Sequence, residues 1–157
     1  FDGYSDADHS GDKSDYISVR GSLFMYTGGP IAWRSKKGRV CQSSTEAELH
    51  AFIQTCNMSR RLRRFLKFIY GFDDDRIELK QNLIYCDNTS TLKMVSEGTV
   101  TQQTGYLGQD AAVAYQYVED KEIVPEKIDT KENVADVMTK PINGETMRDM
   151  IKLLYGI

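Results

Sequence analysis

The stretch that most constrains this chain is residues 41–70. It opens Cys41-Gln42-Ser43-Ser44-Thr45-Glu46-Ala47-Glu48-Leu49-His50-Ala51-Phe52 and continues in helix-forming residues to Tyr70. Ser44 or Thr45 can cap the start, and Glu48 follows Thr45 by three positions, the spacing of a capping box. Leu49, Phe52, Ile53 and Cys56 recur at helical spacing, and Leu62, Leu66 and Ile69 extend the apolar face with some drift. The spacing predicts a long helix packed on something flat, with Glu46 and Glu48 in its first turn. Acids at a helix start also favour its positive end, so from this stretch alone the two glutamates need do nothing more.

At 157 residues the chain has the length of one domain, and its 40% hydrophobic content suffices for one core. A formal net charge of −3 gives no electrostatic sign of a nucleic-acid partner, although a locally basic face can coexist with an acidic total. Cys41, Cys56 and Cys86 are odd in number and lack CxxC spacing. They read as reduced thiols of an intracellular protein, not as a disulfide frame or a zinc site. No apolar run is long enough to span a bilayer, and no signal peptide is visible. Phe1 in place of Met suggests a piece cut from a longer polyprotein.

Residues 1–40 read as a three-stranded meander. A short run ends in Asp6 and Asp8, Tyr16, Ile17, Val19, Leu23, Phe24 and Tyr26 supply β-formers, and Gly28-Gly29-Pro30 turns the chain into a returning strand over 31–36. After the long helix, Asp73-Asp74-Asp75 suits an exposed loop. Residues 82–86 form a compact apolar strand closed by Asp87 and Asn88, and 89–96 suit a short helix ended by Gly98. The polar tract 99–108 reads as a mobile connection, and Asp110 can cap a helix over 111–118. A strand follows over 123–128, interrupted by Pro125. A short helix spans 132–140, and after Pro141 a last amphipathic helix spans 145–155. Hairpins followed by strand–helix alternation give an α/β chain with a mixed five-stranded sheet covered by helices.

Four carboxylates fall at matching places in this outline: Asp6 and Asp87 at strand ends, Glu48 at the helix start, and Asp136 in the short helix after the last strand. If the first and fourth strands are neighbours, Asp6 and Asp87 end side by side. Four carboxylates together are unfavourable without cations, because like charges raise one another's pKa. Hard divalent ions such as Mg²⁺ prefer oxygen ligands, and a pair of them suits phosphodiester displacement. Spacing leaves Asp8 beside Asp6 and Glu46 beside Glu48 as rival candidates.

Five motifs in order carry a resemblance: Gly3-Tyr4-Ser5-Asp6-Ala7-Asp8, Pro30-Ile31-Ala32-Trp33-Arg34-Ser35-Lys36-Lys37, Ser43-Ser44-Thr45-Glu46-Ala47-Glu48, Tyr85-Cys86-Asp87-Asn88, and Asn133-Val134-Ala135-Asp136-Val137-Met138-Thr139-Lys140-Pro141. Together they resemble the ribonuclease H domain that ends the polyproteins of copia-type long-terminal-repeat retrotransposons, closest in flavour to fungal elements. The match covers residues 3–142. The resemblance implies a single ribonuclease H-like domain over 1–157, the C-terminal part of a larger polyprotein, flanking its sheet with helices. It implies catalytic and metal-binding roles for Asp6, Glu48, Asp87 and Asp136, with two Mg²⁺ ions for which Mn²⁺ can substitute. The implied reaction is hydrolysis of the RNA strand of an RNA–DNA hybrid during reverse transcription. The implied partners are that hybrid and the reverse transcriptase domain of the same polyprotein, with no membrane. The implied setting is cytoplasmic, within virus-like particles.

Arg34, Lys36 and Lys37 are the expected hybrid contacts. Asn88 can donate to a sugar, hold Asp87, or simply cap a helix. The basic cluster Arg60, Arg61, Arg63, Arg64 and Lys67 suits either phosphates or the negative end of its own helix. Trp33 belongs to the core or the sheet surface, and His9 and His50 read as ordinary histidines. The chain departs from the pattern in two places. Residues 99–110 contain no His, Lys or Arg, and 128–133 contain no His. Two other readings compete. An integrase or junction resolvase shares the fold superfamily but fits the acid order or the flanking motifs poorly. A domesticated or degenerate copy could serve as a protein-binding module.

Overall fold

β-branched and aromatic residues dominate the N-terminal quarter, and they form an antiparallel meander of β1 (Asp2–Asp8), β2 (Ile17–Tyr26) and β3 (Gly29–Val40). The computed structural model describes residues 1–70 and 81–156. The acidic triplet Asp73-Asp74-Asp75, expected as an exposed loop, lies outside the described residues. Thr27 (φ 47°) and Gly28 (φ 83°) both take left-handed conformations between β2 and β3, the backbone that matches a hairpin's twist. β3 runs on to Val40 as one strand of 12 residues, with register shifts in its pairing to β2. The rest of the frame is α1 (Ser44–Tyr70), β4 (Asn82–Cys86), α2 (Thr89–Glu97), α3 (Gly108–Glu119), β5 (Ile123–Lys127) and α4 (Gly144–Tyr155).

The sheet order is β3-β2-β1-β4-β5, with β4 parallel to both β1 and β5. This is the mixed five-stranded sheet expected from the element order. Pro125 does not interrupt β5, because β5 is an edge strand and its missing N–H costs no ladder bond on the outer side. Gly3, Phe24 and Ile84 share one sheet face, and Tyr4 and Leu23 share the other. The first face carries the main core, in which Leu49, Phe52 and Cys56 of α1 pack with Ile84, Val95, Leu107, Ala111 and Ile123. The second face carries a smaller cluster of Leu23, Val134 and Met150. Among the described residues, no helix is long and apolar enough to cross a membrane.

Three local expectations change. The helix start is capped by Ser43, whose Oγ accepts from Glu46 N at 3.1 Å, and not by Ser44 or Thr45. Glu46 reaches back to accept from Gln42 N at 2.7 Å, so Glu46 takes the capping role that spacing had offered to Glu48. The helix expected over 132–140 is two 3₁₀ turns, Thr130–Glu132 and Val134–Met138. Asn133 separates them because its backbone is extended (ψ 96°) and its side chain is spent elsewhere. Its Nδ2 donates to Ser5 O at 2.9 Å, and its Oδ1 accepts from Ala135 N at 3.2 Å. The third change lies at 99–108, expected as a mobile connection. It contains the 3₁₀ turn Gly105–Leu107, and Leu107 is only 1% exposed, so the tract is anchored in the main core. α3 then starts at Gly108, which places Asp110 inside the first turn and not at the cap.

Gly21 on β2 explains how the Val134–Met138 turn comes so close to the sheet. A Cβ there would lie 2.7 Å from Thr139 Cγ2 and 2.9 Å from both Ala135 O and Met138 Cβ. Gly21→Ala is therefore expected to push that turn outward and to destabilise the protein by about 1–3 kcal/mol. A shift in urea midpoint checks this, and an unchanged midpoint would show that the turn has room to spare.

Candidate active site

The β1–β4 register aligns Gly3 with Ile84 and Tyr4 with Tyr85. Two residues further on, Asp6 and Asp87 come side by side; Asp87 lies just past β4 as expected, but β1 continues to Asp8, so Asp6 sits within its strand and not at its end. Ser5 Oγ locks the pair of strands by donating to Tyr85 O at 3.1 Å. Glu48 comes in from the first turns of α1. Oxygen atoms of Glu48 and Asp87 lie, with Cys86 Sγ, within 4.8 Å of one another. Asp136 arrives on the Val134–Met138 turn, which Asn133 pins to β1 through Ser5. Lys140 links this carboxylate to Asp6, since its ammonium contacts Asp136 Oδ1 and lies 3.9 Å from Asp6 Oδ2. The Asp6–Asp136 pair joined by Lys140 thus lies beside the Glu48–Asp87 pair, since the Asp6 carboxyl feels the charges of both Asp136 and Asp87 and Glu48 feels that of Asp6.

Their electrostatics follow from this crowding. Burial pushes the Glu48 carboxyl up to about 9, the Asp6 and Asp87 charges push the same way, and a hydrogen bond from the Ala7 backbone opposes them. Glu48 Oε2 is buried with no hydrogen-bond partner among the described residues. Burial also raises Asp6, against a hydrogen bond from Thr139 Oγ1 and the positive charge of Lys140, while Asp136 and Asp87 add to the rise. A site of this kind is short of positive charge. Its oxygen donors and the orphaned Glu48 oxygen fit a hard divalent cation. Cys86 does not compete as a thiolate, because burial lifts its thiol to about 12. The residues that would hold such an ion are Asp6, Glu48, Asp87 and Asp136.

Of the rival acids, Glu46 caps α1, while the Asp8 carboxylate lies beside Gly11 and its charge still acts on Lys140. Asn88 caps α2, accepting from Thr91 N at 2.9 Å. Arg34 and Lys36 alternate with Ser35 along β3, so they share a face and Lys37 takes the other. Lys37 is also engaged by Asp15 at 2.7 Å and Asp12 at 3.7 Å. The three basic residues therefore do not form one surface. Trp33 is 63% exposed and lies on the sheet surface. In the α1 cluster, Arg60 pairs with Glu122 at 2.7 Å and stacks over Tyr117, and Arg63 Nη2 donates to Glu122 O at 3.1 Å. Both fasten α1 to the α3–β5 turn.

Sequence reasoning passed over Thr139, Lys140 and Asn133 as site residues. All three stand in the Asn133–Pro141 motif, but the spacing of the acids directed attention to Asp136 alone. In the tract without basic residues, Thr99, Thr101, Gln103 and Thr104 line a cavity of about 350 Å³ with Thr45 and Lys93. Tyr106 Oη and Ser43 Oγ lie 3.1 Å apart beside it.

A parallel β1–β4 pair carrying two acids, a third acid from the first long helix and a fourth from a late turn together define a class. The fold is that of ribonuclease H. A halophilic archaeal RNase H1 from Halobacterium salinarum NRC-1 superposes over 94% of this chain and 96% of its own, with a TM-score of 0.65 at 14% identity. LC11-RNase H1, solved in complex with an RNA/DNA hybrid, superposes over 87% of this chain and 91% of its own, with a TM-score of 0.60 at 14% identity. In sequence, the chain is 33% identical over 156 residues to the retrovirus-related Pol polyprotein from transposon TNT 1-94 of Nicotiana tabacum. That match covers 99% of this chain and 11% of the relative's length. No family model matches the chain. The chain is thus similar over nearly its whole length to a segment of transposon Pol polyproteins, and it has the ribonuclease H fold.

Proposed function

We propose that this chain hydrolyses the RNA strand of RNA–DNA hybrids as the ribonuclease H of a retrotransposon polyprotein. The observation that carries the reading is the meeting of Asp6, Glu48, Asp87 and Asp136, with Glu48 Oε2 buried and unpartnered. Its support from outside the chain is the retrotransposon Pol relatives and the fold shared with an RNase H1 that was solved on a hybrid.

Two Mg²⁺ ions, when bound, neutralise the four carboxylates and stabilise charge building on the phosphodiester. Asp6 and Asp87, on adjacent strands, would contribute to both ions, Glu48 to one and Asp136 to the other. Thr139 holds Asp6 and Lys140 holds Asp136. These contacts fix the oxygens in advance, which is where preorganised electrostatic catalysis gains most. Glu48 is also the acid proposed to read the ribose 2′-hydroxyl, the group that only RNA offers. Arg34 and Lys36, on one face of β3, are the basic pair proposed to meet the hybrid backbone. The reverse transcriptase domain of the same polyprotein and a virus-like particle complete the proposed context.

The test is a cleavage assay on labelled RNA–DNA hybrid and on double-stranded DNA of the same sequence, with Mg²⁺ and with excess chelator. Cleavage of the hybrid alone, and only with Mg²⁺, is the expected result. Equal cutting of both duplexes would remove the 2′-hydroxyl argument. No cutting, together with no stabilisation by millimolar Mg²⁺, would favour a binding module that has kept the fold.

A further inference from the structure

Away from the four carboxylates, a second group of ligating side chains meets where β3 hands over to α1. Cys41 Sγ, a Glu46 carboxylate oxygen and a His50 ring nitrogen lie within 4.8 Å of one another, and all three residues are buried. Glu46 and His50 are one helical turn apart on α1 and so share a face. Cys41 stands just before the helix. His50 Nδ1 is 3.8 Å from Cys41 Sγ, and Nε2, across the ring, is 2.9 Å from Asp110 Oδ2. Asp110 comes from the first turn of α3. An imidazole that donates Nε2–H to a carboxylate presents the Nδ1 lone pair on its other side. That carboxylate–histidine pairing is the one that orients metal-bound histidines.

We propose that Cys41, Glu46 and His50 bind a divalent cation of borderline softness, zinc by its chemistry, with Asp110 orienting the histidine. One sulfur, one nitrogen and one oxygen donor suit zinc and not magnesium, which takes oxygen almost exclusively. Water would complete the ion's shell, and a depression of about 250 Å³ lined by Arg20, Arg39, His50, Ile53 and Asp110 lies on the Nε2 side of the imidazole. Arg39 Nη2 lies 2.9 Å from His50 Nε2, 3.5 Å from Glu46 Oε1 and 3.8 Å from Asp110 Oδ2. Its contact with Nε2 requires that nitrogen to accept, with the ring proton on Nδ1; its side chain is 62% exposed, so it can swing outward when the proton moves to Nε2 and is donated to Asp110. Cysteine spacing gives no sign of this site, because only one cysteine takes part. Its role is to clamp the end of β3 to the turns of α1 that present Glu48. It stands apart from the nuclease reading.

Cobalt(II) is the probe. The chelator-stripped protein is titrated with Co²⁺ in excess Mg²⁺. One equivalent is expected to produce thiolate-to-cobalt charge-transfer absorption, which Zn²⁺ then bleaches while raising the melting temperature by several degrees. The absorption is expected to vanish in Cys41→Ser and His50→Gln. It should persist in Cys86→Ser, the control for the thiol beside Glu48, and in Asp87→Asn, which keeps this test separate from the nuclease. A wild-type protein without the band, a band surviving Cys41→Ser, or a band lost in Cys86→Ser overturns the assignment. If Cys41→Ser does not fold, His50→Gln and the zinc-dependent melting shift of the wild type decide, and no shift overturns the proposal.

Discussion

Asp87→Asn is expected to lower Mg²⁺-dependent hybrid cleavage by on the order of 10³-fold or more while leaving the fold intact. Asparagine keeps the size and one oxygen of the side chain but loses the charge that faces the cation. The fold should survive because Asp87 lies past the end of β4. The α2 cap next to it belongs to Asn88, and the Lys127 contact is to the backbone oxygen of Asp87. Cleavage and circular dichroism on the same preparation check both halves. Full activity in this variant would refute the site.

The second large effect concerns Glu48 and is opposite in sign for stability and activity. In the cation-free folded protein its carboxyl titrates near 9, against 4.5 for the ordinary group. Between those values the folded state holds a proton that the unfolded state has lost. Folding stability therefore falls as pH rises through that window and is level beyond it. Glu48→Gln removes the linkage. Its gain over the wild type is expected to be near zero at pH 4.5 and to grow to about 3 kcal/mol near pH 7 without divalent ions. Millimolar Mg²⁺ should narrow or reverse the gap, because it stabilises only the protein that binds it. The same variant should lose hybrid cleavage. Denaturant melts at several pH values, with chelator and with Mg²⁺, read all of this out. A wild-type curve flat in pH would contradict the burial argument.

The frame was legible because the signals were long or doubly determined. Apolar spacing marked α1, and turn residues bounded three N-terminal strands. The pairing of Asp6 with Asp87 followed once β1 and β4 were taken as neighbours, and the register bears that out. What the sequence did not reveal was decided by single side chains acting over distance. Spacing offered Glu48 for the capping box. Ser43 instead set the helix start one residue before Ser44, which gave the box to Glu46 and released Glu48. Helical propensity over 132–140 lost to Asn133, whose bond to Ser5 joins residues 128 positions apart. Arg34, Lys36 and Lys37 look like one basic patch in sequence, but strand alternation divides them. No local pattern shows Lys140 between two acids, because one of those acids lies at the opposite end of the chain.

Of the four acids Asp6 is translated first and Asp136 last, with most of this domain's sequence made between them. A nascent or partly folded chain can hold a well-formed sheet and still lack the complete cluster. Onset of hybrid cutting would then be a sharp reporter of finished folding, and the growing polypeptide would be harmless to hybrids until the final turn has docked.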